Sequence, residues 1–460
     1  MSVRTLWGAC LCAGALFGQS FVSVSSPVTA LTHVRIIDGT GAPAKTNQTI
    51  VIRQGRIESI ADADRASVPK DVQVLDLANH TVIPGLVGMH EHLFYPSGRG
   101  VPIYVEHALS FPRLYLASGV TTARTAGGLE VQTDLTVAKW IDEGRYTGPA
   151  MLITAGYLEG PGSFTPQMFE LRGPEDATNF VNYWASLGAT SFKAYMHITR
   201  AELGAAIQAA HAKRLTVTGH LCSVGFREAA ALGIDNLEHG LVVDGEIVPG
   251  KRPDECPQLT AAVLENLDVN SAQVKQIIHD LVEHHVAVTS TLAVFETTPP
   301  IQQRFADALS PQTLADYKAA RERMPESTKR VSALRIQKEQ EFERAFVAAG
   351  GLLMAGADPT GNGSALAGFA DQRNIELLVE AGFRPEEAIR IASLNGAKFL
   401  GMESRIGSIA AGKQADLVVI DGDPSSRIAD IEKVRIVFRN GVGYDSAKIL
   451  DSVRGMVGLH

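Results

Sequence analysis

Between residues 83 and 357, short apolar stretches alternate with longer amphipathic ones, eight times over. The apolar stretches are 83–89, 119–124, 150–155, 189–194, 215–219, 234–238, 286–291 and 352–357. Each has the length of a buried strand rather than of a helix. Helical patterns lie between them. In 200–213, Leu203, Ile207 and His211 recur at four-residue spacing, which puts them on one helix face. Parallel strands joined by helices are covered on both faces or close into a ring. Eight such units predict an α/β chain folded as a (β/α)8 TIM barrel. An open doubly wound sheet is the rival arrangement, but no Gly-rich nucleotide loop follows the first strand.

The flanks have another rhythm. Leu31–Ile37 is apolar-rich and stops at Asp38-Gly39-Thr40-Gly41. Thr49–Ile52 runs into Gln54-Gly55, and Arg56–Ile60 alternates. Gly-containing turns between strands are hairpin signals. Strand-and-turn patterns return at 406–424 and 434–441, so the two chain ends are expected to build one small β-sandwich beside the barrel. The predicted organisation is a leader at 1–30, the first part of the sandwich at 31–83, the barrel at 84–400 and the rest of the sandwich at 401–460. A charged helical insertion at about 301–349 is expected to turn its Lys, Arg and Glu outward. It fits a lid, an oligomer contact or a solvated excursion equally well.

Arg4, an apolar run from Leu6 to Phe17, and small residues at Val28-Thr29-Ala30 make the pattern of a secretory signal peptide. Its presence implies an exported protein, periplasmic or secreted; without it the chain would be cytoplasmic. Beyond that run, no apolar stretch reaches the ~20 residues needed to span a bilayer, so stable membrane insertion is not expected. Cys10 and Cys12 would leave with the leader. Cys222 and Cys256 would remain, and two cysteines are no disulfide framework. The net charge of −8 and the absence of a Lys/Arg run argue against a nucleic-acid partner. A small molecule is the expected partner, with a homo-oligomer possible.

In such a barrel the site lies at the C-terminal ends of the strands. The first stretch ends in His90 and His92, which share a face because side chains alternate along a strand. The fourth stretch ends in Lys193, the fifth in His220, the sixth in His239 and the eighth in Asp358. Imidazole and carboxylate suit zinc and neighbouring divalent ions. An ammonium does not, but carbamylated by carbon dioxide Lys193 becomes a carboxylate able to bridge two ions. Two close metals would lower the pKa of a shared water, and Asp358 would accept its proton as general base.

Several of these pieces recur together in one family. Pro84-Gly85-Leu86 leading into His90-x-His92, Gly119-Val120-Thr121-Thr122, Phe192-Lys193, Gly219-His220, Glu238-His239-Gly240, Ala357-Asp358 and the 407–419 tail resemble the amidohydrolase superfamily. The lysine on an imidazolonepropionase-like frame resembles the Xaa-Pro dipeptidase (prolidase) branch. Imidazolonepropionase itself uses one metal and lacks that lysine. The resemblance implies two divalent ions, zinc by default. His90, His92 and Asp358 would hold one, His220 and His239 the other, and carbamylated Lys193 would bridge them. It implies hydrolysis of a C–N bond in an amide, peptide, urea or carbamate. The same site on an ester, lactone or phosphotriester is the alternative, and a non-catalytic scaffold a remoter one. Tyr195, two residues past the lysine, is a candidate substrate contact.

Overall fold

The computed structural model describes residues 21–97, 103–299, 301–361 and 365–458. Both chain ends enter one nine-stranded sheet. Val22–Val24 pairs antiparallel with Val442–Asp445, and His80–Pro84 pairs antiparallel with Leu417–Asp421. Val24 and Ile57 belong to strands at opposite ends of the sheet order, yet both join the core of Leu31, Ile50, Leu417 and Phe438. The sheet therefore folds over on its own apolar face, as the paired ends required.

The expected start of this unit at residue 31 is corrected. Residues 1–20, where most of the leader falls, lie outside the described residues. Residues 22–30, however, are part of the sheet: Val28–Ile36 pairs with Lys45–Arg53, and Ala30 is fully buried. A cut after Ala30 would remove one strand and split the next.

The chain crosses into the barrel at Gly85. A Cβ there would lie 2.1 Å from Thr121 Oγ1, so only glycine allows the approach. Eight barrel strands follow: β1 (Leu86–Glu91), β2 (Val120–Thr125), β3 (Ala150–Leu152 and Thr154–Leu158), β4 (Ser191–Ala194), β5 (Thr216–Gly219), β6 (Asn236–Glu238), β7 (Ala287–Ser290) and β8 (Leu353–Ala355). All neighbours pair in parallel. Strand β3 breaks at Ile153, its first half pairing with β2 and its second with β4. The ring closes where the Asp358 backbone N–H donates to the His90 carbonyl at 2.9 Å.

The helices form as patterned. Arg200–His211 starts with a capping box between Thr199 and Glu202, and it buries Leu203 and Ile207 while His211 stays outside.

Between β7 and β8 the insertion forms three helices, Gln303–Ala308, Pro311–Glu322 and Glu326–Ala348. The expectation of outward charges fails at Glu339 and Glu343, both fully buried beside Phe342 and Phe346. The Glu339 carboxyl accepts a hydrogen bond from the Val242 N–H at 3.1 Å, which gives this inward-facing side chain a partner.

Candidate active site

Strand β1 delivers His90 and His92 to the mouth of the barrel, both buried. His92 Nδ1 lies 2.8 Å from the Gly127 carbonyl oxygen. A carbonyl only accepts, so Nδ1 carries the proton and Nε2 is left as a free base. His90 Nδ1 lies 2.8 Å from Glu238 Oε2. The two Nε2 atoms turn toward Asp358 Oδ1, at 3.5 Å from His90 and 3.2 Å from His92. These three side chains offer ligand atoms within 4.8 Å of one another.

The other residues join the same cluster. The His239 ring centroid is 4.7 Å from that of His90 and 4.5 Å from that of His220. His239 Nδ1 is 2.7 Å from Thr291 Oγ1. Lys193, at the end of β4, lines the same cavity with its Nζ buried and unpartnered. His239 and Asp358 take left-handed backbone, φ 68° and 45°. Such conformations in non-glycine residues concentrate at functional sites. At His239 the turn has a visible effect: Glu238 and His239 are consecutive, yet both reach the barrel interior, which regular strand alternation forbids.

Electrostatics favour the ligand forms. Burial pulls the His92 imidazole below its usual range, and burial with Lys193 takes His220 down to about 3. Burial and the facing His220 and His90 also hold His239 well below its ordinary range. Neutral imidazole is the metal-binding form. Burial alone would raise the Asp358 carboxyl, but His90, His92 and His239 hold it well below the carboxylate range. Burial takes Lys193 down to about 8. Three imidazole nitrogens with their partners already fixed, a carboxylate and an orphaned lysine nitrogen fit a divalent-metal site.

Two residues to which the sequence reading gave no role support this cluster. Glu238 Oε1 takes a 2.6 Å ion pair from Arg124 Nη2 and a hydrogen bond from the Thr218 hydroxyl, while Oε2 faces His90. Arg124, fully buried, also donates to the Met89 carbonyl. Burial would raise the Glu238 carboxyl, but Lys193, His90 and Arg124 keep it ionised. A charged residue inside each of two buried barrel strands was the available signal, because neither is stable there without a partner.

The cluster floors a cavity of about 1240 Å³. One wall carries Phe94, Tyr104, Tyr157, Phe164, Met168 and Tyr195. The insertion contributes Met324, Val331 and Arg335 to the lining. A third segment, 256–260, is tied to the loop after β5 by a Cys222–Cys256 disulfide. Tyr195 is half-buried, its ring 4.9 Å from His220. His197 is bound to Glu159, and His279, His284 and His285 are exposed.

Residues 81–442 match the amidohydrolase family. The chain belongs to that family. As an amidohydrolase it is a hydrolase of carbon–nitrogen bonds, in a family generally dependent on metal. The fold matches a Xaa-Pro dipeptidase solved with methionine in its active site (TM-score 0.69, 22% identity, 91% of this chain and 100% of that one). It also matches A. niger ochratoxinase (TM-score 0.66, 16% identity, 91% and 95%). Curated relatives match over short stretches. A dihydroorotase of Anaeromyxobacter dehalogenans is 34% identical over 96 residues, 21% of either chain. An imidazolonepropionase of Thermoplasma volcanium is 38% identical over 64 residues, 13% of this chain and 16% of that one. Among the described residues of this amidohydrolase, no helix is long and apolar enough to cross a membrane.

Proposed function

We propose that this amidohydrolase cleaves an amide-type C–N bond, in a peptide or N-acyl amino acid, at a two-metal centre. His90, His92 and Asp358 would hold one ion, His220 and His239 the other, and carbamylated Lys193 would bridge them. The observation that carries this reading is Lys193, whose buried Nζ has no partner beside four imidazoles and a carboxylate. As an ammonium it would repel cations. Its depressed basicity leaves neutral amine available. That amine can bond to carbon dioxide and lose a proton, which turns a repulsive group into an anionic ligand.

Divalent ions here, zinc by default, would supply an ionised water at neutral pH and polarise the scissile carbonyl. The chain's own residues do the rest. Glu238 and the Gly127 carbonyl hold the His90 and His92 rings with Nε2 inward. Asp358, held ionised, is placed to accept a proton and return it to the departing nitrogen. The aromatic wall limits water, and Tyr195 is the proposed substrate contact. The named structural neighbours, a Xaa-Pro dipeptidase and an ochratoxinase, support this substrate range.

The test is Lys193→Ala with metal analysis and kinetics. The variant is expected to lose metal and nearly all activity, with partial return in added short carboxylates. Full metal content and full activity would sink the bridged site. Wild-type enzyme is expected to favour dipeptides and N-acyl amino acids; faster turnover of lactones or phosphotriesters would overturn the C–N assignment.

We also infer export. The Cys222–Cys256 disulfide fits an oxidising compartment, and a leader confined to residues 1–20 would leave the sheet whole.

A further inference from the structure

The cavity above the metal cluster is poor in acid. Asp358 is its one carboxylate among the described residues, whereas Lys193, Arg321 and Arg335 all line it. Lys193 belongs to the cluster. Arg321 is occupied, with its guanidinium donating to the Thr298 and Pro299 carbonyls and to the Tyr317 hydroxyl. Arg335 differs from both.

Arg335 projects from the long insertion helix, Glu326–Ala348, onto the cavity wall. Its Nε is buried and unpartnered, and among the described residues no carboxylate pairs with its guanidinium. Three other arginines with little exposure have carboxylate partners, while Arg113, which has none, lies over the Phe21 ring and donates to Ser452. Arg124 has Glu238, Arg304 has Glu432 at 3.0 Å, and Arg373 has Glu296 at 2.8 Å. Burial without a counter-ion pulls the Arg335 pKa below the ordinary arginine value. A desolvated, unpaired guanidinium is costly to keep. It is also preorganised, because its planar fork can take a carboxylate at two points without first breaking a native bond.

The rest of the wall limits the partner further. Phe94, Tyr104, Phe164 and Tyr195 offer aromatic surface and no second charge. The lining thus contains three zones: a metal-binding cluster, an aromatic face and one free cation.

We propose that Arg335 selects substrates by charge, pairing with the free carboxylate of an amide whose other part is a large apolar group. This rests on the reading of the site as an amide hydrolase. It adds that the substrate is anionic and that the insertion, rather than the barrel strands, carries the residue that reads the anion.

The test uses matched pairs: N-acyl amino acids with a free carboxylate, and the same compounds capped as carboxamides. Turnover and calorimetric binding are measured on metal-loaded full-length wild type, Arg335→Met and Arg335→Lys, with metal content checking the fold. Wild type is expected to favour the acids by roughly 100-fold in kcat/KM. Arg335→Met should lose that preference mainly through a raised KM for the acids, and Arg335→Lys should keep part of it. Equal handling of acid and carboxamide by wild type, or an undiminished preference in Arg335→Met, overturns the proposal. If neither compound is hydrolysed but the acid still binds preferentially through Arg335, the charge reading stands and the reaction class is what fails.

Discussion

Glu238 Oε2 lies 2.8 Å from His90 Nδ1, and the two residues are 148 positions apart in the chain. The pair joins β1 to β6 across the barrel interior. Arg124 of β2 grips the other carboxylate oxygen, so three strands fix the orientation of one imidazole. A ligand ring held this way needs no reordering when an ion arrives.

Glu238→Gln tests that arrangement. The amide keeps the shape but removes the charge that balances Arg124 and faces His90. Metal affinity and kcat are expected to fall about 10–100-fold, with far-UV circular dichroism unchanged. Wild-type metal affinity in this variant would show that the carboxylate is structural only.

Glu339 packs against the turn that follows His239. It accepts from the Val242 N–H at 3.1 Å, and a Cβ on Gly240 would strike its Oε1. Gly240 itself is at φ 72°. Glu339→Ala is expected to cost about 1–3 kcal/mol of stability, because a buried donor loses its acceptor. It should also lower kcat more than it raises KM. Burial and the neighbouring Glu343 push the Glu339 carboxyl well above the usual range, so it acts as a neutral acceptor. Glu339→Gln should therefore stay near wild type, and a collapse of that variant would mean that the charge matters.

Stability is expected to fall with rising pH through a carboxyl pair, Asp134 and Glu106, that is not among the candidate metal ligands. Burial lifts Asp134 to about 8, with Glu130 adding to it, and lifts Glu106 to about 9 with help from Asp134 and Glu130. Their unfolded values lie near 4. Between pH 4 and pH 8 the folded chain therefore holds protons that the unfolded chain has lost, so stability declines across that interval. Asp134→Asn, neutral at every pH, should flatten the decline and gain about 2–3 kcal/mol over wild type at pH 9 in denaturant titrations. Parallel curves for the two proteins would show that Asp134 is ionised in the fold.

The disulfide gives the fourth test. Cys222 and Cys256 are separated by 34 positions, and their bond holds one wall of the cavity. Cys222→Ser with Cys256→Ser is expected to cost about 3–4 kcal/mol. If the chain is exported, N-terminal sequencing of the mature protein should begin near residue 21 rather than 31. A mature terminus at 31 would contradict the strand pairing of Val22–Val24 and Val28–Ile36.

The barrel was legible because each strand is a short apolar run, and because residues two apart on a strand share a face. His90 and His92 could be set on one face from that rule, and Lys193, His220 and Asp358 at strand ends from the strand pattern. His239 could be placed at a strand end, but not its direction, since a left-handed turn at φ 68° breaks the alternation. Glu238 and Arg124 were hidden for another reason. Their partners are distant in sequence, and a lone charged residue in a strand does not name its counter-ion. The insertion misled because helical charge usually faces water; Glu339, Glu343 and Arg335 turn inward to a turn, a strand end and a cavity respectively.

The strand His80–Pro84 leads through Gly85 directly into β1, and it pairs with Leu417–Asp421. During synthesis His90 and His92 leave the ribosome long before the strand that pairs beside their leading strand. A nascent chain stopped before residue 417 would carry an uncovered sheet edge next to its half-built centre, an invitation to wrong pairing. The first barrel strand thus gains its full support only once Leu417–Asp421 exists, and loss of that strand would reach the candidate metal site through the sheet while leaving the barrel strands themselves intact.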